Sequence, residues 1–429
     1  MPPVPTQFHE PLGQGGMTGI IVAIFAAVYV GMFLGGLPRL KLNRAGVALL
    51  GAIGVIGLGA MSTEQAARAV DLPTILLLFS FMVVSAQMRL GGFYRAVTRR
   101  VVSWPLSRAG LLAVLIAVAG ALSAVFSNDI ICLAMTPVVA RLCQRRGFAP
   151  VPFLVGLACA ANIGSAATLI GNPQNMLIGS VMRLSFGAYM MQALPPVLLS
   201  LVVLWAWLVW GPGSKGAAVS PTDSPRATQH ASGDEPPFDQ WQTAKGLTVA
   251  AALMGVFLFT DWPREVAALV GAGVLLLSRR FHSSQVMSFV DWELLVLFMG
   301  LFVVNHAFES TGLAAQAVAM MANQGVHPED PKALLVIGVA LSNLVSNVPA
   351  VMLLLPQLSS PESGVLLALV STLAGNLLLV GSIANLIVAD LARESGITID
   401  WKRHAVIGAP VTLGTLVIVW GWMAWLGAR

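Results

Sequence analysis

Apolar residues in this chain fall in long blocks separated by short polar loops, without the strict alternation of half-buried strands. Blocks at 17–37, 45–60, 73–90, 150–181, 187–211, 246–260, 266–278, 288–308, 364–389 and 405–427 read as membrane-crossing helices. A crossing needs about 20 apolar residues, and 45–60 and 266–278 fall short of that length. Two further apolar stretches, 110–141 and 332–358, are interrupted near their middles by Ser127-Asn128 and Ser346-Asn347. If each dips into the bilayer and returns to its own side, the loops alternate cleanly. The pattern predicts an all-α polytopic membrane protein with about ten transmembrane helices plus two re-entrant hairpins.

Composition agrees with the pattern. Of 429 residues only 10% are charged, against about 25% in soluble domains, and 57% are hydrophobic. A mean hydropathy of +0.81 excludes a soluble enzyme. The formal charge of +5 would suggest nucleic acid, but its distribution argues otherwise. With both interrupted stretches re-entrant, only Arg68, Arg183, Arg264, Lys332 and Arg429 of the 24 Lys and Arg lie on one side. The other side collects the remaining nineteen, which marks it as cytoplasmic. This assigns the plasma (inner) membrane, with both termini outside and no nucleic-acid partner. Residues 1–16 form an N-terminal tail without Lys or Arg, so the first helix is expected to be retained instead of cleaved as a signal.

Residues 212–244 form the one long polar stretch, rich in Gly, Ser, Pro and acidic residues, and read as a flexible cytoplasmic linker. The halves it divides, 17–211 and 245–429, repeat each other. Pro137 follows Asn128 at the same distance as Pro356 follows Asn347, and Gly171-Asn172-Pro173-Gln174-Asn175 corresponds to Gly381-Ser382-Ile383-Ala384-Asn385. A Gly precedes an amphipathic stretch ahead of each interrupted segment, at Gly91–Ser107 and Gly312–Ala322. The charge count orients the duplicates oppositely, hairpin 110–141 opening to the cytoplasm and 332–358 outward. Inverted repeats with broken helices are a signature of secondary transporters.

Unwound backbone at membrane depth persists only where protein or a polar cavity satisfies it. Ser127, Asn128, Asp129, Ser346 and Asn347 would occupy the hairpin tips. Asn162, Gly164, Thr168, Gly171, Asn172 and Asn175 would surround one later helix break, with Gly375, Asn376, Gly381, Ser382 and Asn385 around its counterpart. Glycine permits close backbone approach, and half-helix N-termini offer unpaired N–H groups to an oxygen-rich solute. The candidate substrate-binding set is therefore Ser127, Asn128, Asn172, Asn175, Ser346, Asn347, Ser382 and Asn385. Gly164, Thr168, Gly171, Gly375, Asn376 and Gly381 shape the breaks, and Asp129 is the coupling-ion candidate because an intramembrane carboxylate is costly without a function. Its alternative is a capping residue at the hairpin turn.

Together, Ser127-Asn128-Asp129, Leu133, Thr136-Pro137, Asn162-Ile163-Gly164 and Ala167-Thr168-Leu169-Ile170-Gly171-Asn172-Pro173-Gln174-Asn175 resemble the ion transporter superfamily. That group includes arsenite permeases, citrate-permease-like proteins, divalent-anion symporters and certain sodium/proton antiporters. Ser346-Asn347-Val348-Pro349 and Gly381-Ser382-Ile383-Ala384-Asn385 resemble its second-half motifs. The resemblance implies the ten crossings and two hairpins above, a homodimer and an elevator-type transport domain. Dicarboxylate carriers of the family typically have Ser-Asn-Thr at both tips, whereas here Asp129 and Val348 hold the third positions. The Asn-Asp order is more similar to the arsenite permease branch.

No Lys or Arg lies inside the binding elements, so a multiply charged anion would rely on helix dipoles of about half a charge each. The reading is a secondary active transporter of a small oxyanion or oxyacid, with proton-coupled arsenite or antimonite efflux favoured. Citrate- or dicarboxylate-type uptake or exchange and sodium/proton antiport are the alternatives. No cofactor or resident metal is expected, a proton or sodium gradient being the energy source. With no Gly-x-x-x-x-Gly-Lys-[Ser/Thr] loop, ATP drive would come from a separate ATPase subunit, and no enzymatic nucleophile stands out. Cys132, Cys143 and Cys159 lack CxxC spacing and read as buried thiols. His306 and Glu309 read as interfacial, the other His residues as loop or boundary residues, and the Trp clusters at 205–210 and 420–425 as interface anchors.

Overall fold

Several helix starts in this chain are capped by the side chains that local sequence supplies. Asn43 accepts from the Gly46 N–H at 2.9 Å, Ser107 from Gly110, and Ser62 and Gln65 form a reciprocal capping box. The computed structural model describes residues 14–37, 40–211, 238–325, 327 and 329–427. Most of the expected tail and linker, residues 1–13 and 212–237, lie outside the described residues.

The described chain is mostly helical. It begins with α1 (Gln14–Leu34), α2 (Arg44–Gly57), the short α3 (Thr63–Ala69), α4 (Leu72–Leu90) and α5 (Phe93–Ser103). There follow α6 (Arg108–Val125), α7 (Asn128–Arg146), α8 (Pro150–Ser165), α9 (Pro173–Val181) and α10 (Phe186–Trp210). Next come α11 (Gln240–Phe259), α12 (Arg264–Leu276), α13 (Ser283–Met287), α14 (Trp292–Ser310) and α15 (Leu313–Asn323). The last are α16 (Pro331–Val345), α17 (Asn347–Leu354), α18 (Pro361–Ala374), α19 (Ile383–Glu394) and α20 (Trp401–Gly427). Two two-residue strands, β1 (Gly36–Leu37) and β2 (Leu42–Asn43), pair antiparallel between α1 and α2.

Seven helices are long and apolar enough to cross a membrane: α1, α4, α6, α10, α11, α14 and α20. The expected crossings 45–60 and 266–278 correspond to the shorter α2 and α12. The expected spans 150–181 and 364–389 are each two helices, α8 with α9 and α18 with α19, parted by non-helical residues 166–172 and 375–382. α11 starts at Gln240, inside the stretch assigned to the linker. The two amphipathic stretches are the eleven-residue helices α5 and α15, each preceded by a left-handed glycine, Gly92 at φ 71° and Gly312 at φ 75°.

The chain divides into two compact units. Unit one, from residues 1–71 and 296–326, packs α1, α2 and most of α14. Tyr29 donates to Asn305 Oδ1 at 2.9 Å, Phe25 stacks on Phe308, and Gly300 lets its helix approach the backbone of Ala48. His306 and Glu309 belong to this unit and are exposed.

Unit two, from residues 72–295 and 327–429, contains both interrupted stretches. α6 and α7 are parted by Phe126 and Ser127 alone, and α16 and α17 by Ser346 alone. Ser346 has φ 79°, a strained value for a residue with a Cβ. α7 runs on through Pro137, whereas Pro356 sits in a 3-10 turn, Leu355–Gln357, where a missing N–H costs nothing. The interior of unit two requires glycine where α8 meets α6: a Cβ on Gly164 would lie 2.3 Å from the Gly120 backbone.

Gly164→Ala should therefore lower the thermal midpoint of the detergent-purified protein, at a cost of about 1–3 kcal/mol. Gly255→Ala, on α11 with nothing within 4 Å of the new methyl group, should leave it unchanged or slightly raised. Equal effects of the two would show that the α6–α8 approach is not tight.

Candidate functional site

At each break the backbone loses its helical partners, and amide side chains replace them. Asn175 Nδ2 donates to the Thr168 carbonyl at 3.1 Å, and Asn385 Nδ2 donates to the Leu378 carbonyl at 3.1 Å, each reaching back seven residues. Asn385 also holds the Gly375 carbonyl at 2.8 Å. Asn172 Oδ1 caps α9 through the Asn175 N–H, and Ser382 Oγ caps α19 through the Ala384 N–H. The break glycines admit these approaches. A Cβ on Gly171 would meet the Ser165 carbonyl at 2.2 Å, on Gly381 the Asn343 Oδ1 at 2.8 Å, and on Gly375 the Asn347 Nδ2 at 3.0 Å.

Both carbonyl partners of Asn385 are backbone, so its Nδ2 must face them and its Oδ1 must face away. That Oδ1 accepts from Asn162 Nδ2 at 3.3 Å, and Asn162 Nδ2 also donates to Asn376 Oδ1 at 2.9 Å. Asn162 Oδ1 then accepts from Asn128 Nδ2 at 2.9 Å and from Ser382 Oγ at 3.1 Å. Asn162 thus spends its whole hydrogen-bonding capacity joining the tip of the first hairpin to the second break. A parallel strand of contacts runs from Asn172 Nδ2 to Ser165 Oγ and Thr372 Oγ1, and from Thr372 Oγ1 to Asn175 Oδ1. Gln174 Nε2 also donates to Thr372.

This ordering leaves particular buried atoms without a protein partner. Asn128 Oδ1, Asn343 Oδ1 and Asn347 Oδ1 lack donors, and Asn376 Nδ2 lacks an acceptor. The Asn343 orientation is set because its Nδ2 donates to the Val339 and Ala374 carbonyls. Ser123 and Ser342, each five residues before a tip Asn, also have buried hydroxyls without a partner. An unpaired buried polar atom is costly, so these atoms are the network's candidate contacts for a polar partner.

The sequence-selected Asn128, Asn172, Asn175, Asn376, Ser382 and Asn385 are brought into one network, and Asn347 lies beside Gly375. Thr168 holds the Ala124 carbonyl of the first hairpin. Ser127 precedes α7 without making a cap bond, and Asp129 sits half-buried in its first turn. Asp129 is the acidic residue of the first turn of α7, and Asp291 caps α14 through the Leu294 N–H at 2.9 Å. Asn343, Thr372, Tyr189 and His404 are participants that the motif search missed. Tyr189 donates to the Ala166 carbonyl at 2.8 Å and accepts from Asn175, while His404 Nε2 meets the Asn376 carbonyl at 3.0 Å. These carbonyls follow the ends of α8 and α18, so each break is clamped by one side chain from the long helix after it. His404, assigned above to a boundary position, is 1% exposed, since Gly408 one turn on lets the Asn376 carbonyl approach α20.

Cys132, Cys143 and Cys159 are buried and free. Among the described residues no cluster of three or more His, Cys, Asp or Glu suits a metal ion.

Broken apolar helices around an amide-lined network define a membrane transporter. Comparison with known proteins specifies it further: the family model described as citrate transporter matches residues 20–364, and the chain belongs to that family. It is 30% identical to the silicon efflux transporter LSI3 of Oryza sativa subsp. japonica, over 88% of this chain and 91% of that protein. It is 24% identical to the putative transporter arsB of Dictyostelium discoideum, over 89% and 87%. Among solved structures it resembles the Alcanivorax borkumensis YdaH transporter with a TM-score of 0.57 at 14% identity, covering 96% of this chain and 98% of that one. At that identity the likeness speaks for the fold.

If Asn162 is the hub, Asn162→Leu should strand four polar partners at about 1–3 kcal/mol each where they stay buried, and lower the thermal midpoint steeply. His404→Gln, which keeps a donor, should retain more stability than His404→Leu. A Leu variant as stable as the Gln variant would show that the His404 clamp is packing and not a hydrogen bond.

Proposed function

We propose that this protein is a proton-coupled secondary transporter that exports a small neutral oxyacid, of the arsenous, antimonous or silicic acid type. The carrying observation is the set of three buried amide oxygens, from Asn128, Asn343 and Asn347, that lack donors among the described residues, with Asn376 Nδ2 a buried amide donor that lacks an acceptor. A hydroxyl-covered neutral solute donates to such oxygens; a carboxylate group presents acceptor oxygens to them and would be repelled. No Lys or Arg takes part in the hydrogen bonds of the network to offset that repulsion. LSI3, the relative named for silicon efflux, supports the same class of cargo.

Asp129 is the proton carrier in this reading. It lies one residue from Asn128, so its charge is felt where the solute binds. Ionised, it accepts from the solute's hydroxyls on the cytoplasmic side; protonated from outside as the solute leaves, it carries that proton back and releases it inside, so inward proton flow drives export. The equivalent hydrogen bonds of Asn175 and Asn385 support two inverted repeats, with ten crossings and two re-entrant hairpins. An elevator-type transport domain, in a homodimer of the inner membrane with both termini outside, completes the reading. Uptake or exchange of a citrate-like carboxylate is the second reading, favoured by the description of the matching family. Sodium is the third guest that amide oxygens suit.

Transport into vesicles, with arsenite, antimonite, silicic acid, citrate and sodium under imposed pH gradients, tests the proposal. Saturable metalloid or silicon flux driven by the proton gradient is expected, and sodium-dependent citrate uptake without it would overturn the reading. Asp129→Asn should uncouple flux from pH while the protein keeps its thermal midpoint. A pH dependence identical to the parent would remove Asp129 from that role.

A further inference from the structure

Away from the polar network, unit two has a groove of about 600 Å³ between α6 and α10, floored by Gly164 and Ala167. Its α6 wall is a stripe of mostly small residues, including Ala113, Ala117 and Ala124, and its α10 wall carries Leu198, Val202 and Trp205 at matching spacing. The lining is apolar throughout, and Leu198 and Val202 are 53% and 58% exposed. A water-soluble solute finds no hydrogen bond here.

Three features specify what fills it. From Ala113 to Ala124 the α6 wall rises about 16 Å at 1.5 Å per residue, and one leaflet of hydrocarbon is about 15 Å. One end carries the side chains that sit at headgroup level. Trp205 closes it with its indole N–H on the Ala109 carbonyl at 3.0 Å, Trp210 packs against Trp205, and tryptophans concentrate at that depth of a bilayer. The same end is basic. Arg108 reaches the Leu208 carbonyl, and Arg146 holds the Trp104 and Leu106 carbonyls of the loop that leads into α6. From Arg95 to Arg146 the sequence has seven Arg and no acidic residue besides Asp129, which sits at the far end of the hairpin.

We propose that this groove binds one anionic phospholipid of the bilayer, an acyl chain between α6 and α10 and the phosphate at the Arg108 end. The chain terminus rests on Ala124 and Ala167. Ala124 gives its carbonyl to Thr168, so the lipid backs the first hairpin where it meets the first break. Lipid occupancy and movement of that hairpin are thereby coupled, whatever the cargo.

Native mass spectrometry of the full chain in detergent, titrated with phosphatidylglycerol or phosphatidylcholine of the same chains, tests the site. One retained phosphatidylglycerol per chain is expected, with phosphatidylcholine retained more weakly. Arg108→Gln should reduce the preference by about fivefold, as loss of one basic side chain near an anionic headgroup implies. Ala117→Trp with Ala121→Trp, both at exposed positions that face the groove, should abolish retention without lowering helicity. Retention that ignores headgroup charge and survives the double Trp variant marks ordinary annular lipid and overturns the proposal. A groove occupied by a second copy would also overturn it: the double variant would then turn a dimer into monomers, with no lipid adduct in the parent.

Discussion

Two backbone carbonyls, those of Gly375 and Leu378, set the chemistry of the whole site. The Gly375 carbonyl loses its helical partner where α18 stops, and the Leu378 carbonyl, which also accepts from the Gly381 N–H at 3.0 Å, follows in the turn after it. Asn385 pairs both with one amide nitrogen. From that commitment the orientation of Asn162 follows, and from Asn162 those of Asn128 and Asn376. The oxygens left facing nothing are thus a consequence of satisfying the broken helix. The groups bonded in this network are uncharged amides and hydroxyls, and in the proposed reading they take a guest that brings hydroxyl groups.

The same economy appears at both breaks. Each ends in an Asn that holds a carbonyl seven residues back and in a cap that starts the next helix, and each has a carbonyl clamped from the following long helix. The clamps differ in kind: a tyrosine hydroxyl at Ala166 and an imidazole at Asn376. Glycine at 164 and 171 is required because neighbouring backbone already occupies the space of a Cβ, and at 375 and 381 a Cβ would crowd the amides of Asn347 and Asn343. Packing and polarity therefore constrain the same positions.

Much of this was legible in the sequence. The Ser-Asn pairs at 127–128 and 346–347 do interrupt their apolar stretches, and the Gly-[Asn/Ser]-x-x-Asn motifs do start new helices at Pro173 and Ile383. Elements such as β1, β2, α3 and α13 escaped because two to seven residues are too few to show a period. Asn162 was visible as an amide within an apolar helix, but its importance was not. Its partners come from residues as much as 223 positions away. Tyr189 and His404 lie outside every motif, and only the fold brings them to the Ala166 and Asn376 carbonyls. Asn343 was hidden because its counterpart in the first half, Ala124, is apolar, so repetition could not reveal it.

Arsenic scatters X-rays anomalously, which allows the guest's position to be observed directly. Crystals soaked with arsenite should give an anomalous peak beside the amide oxygens of Asn128, Asn343 and Asn347, and Asn162→Leu should erase it. A peak on the thiols of Cys132, Cys143 or Cys159, with none in the network, would contradict the claim that neutral amides bind the cargo.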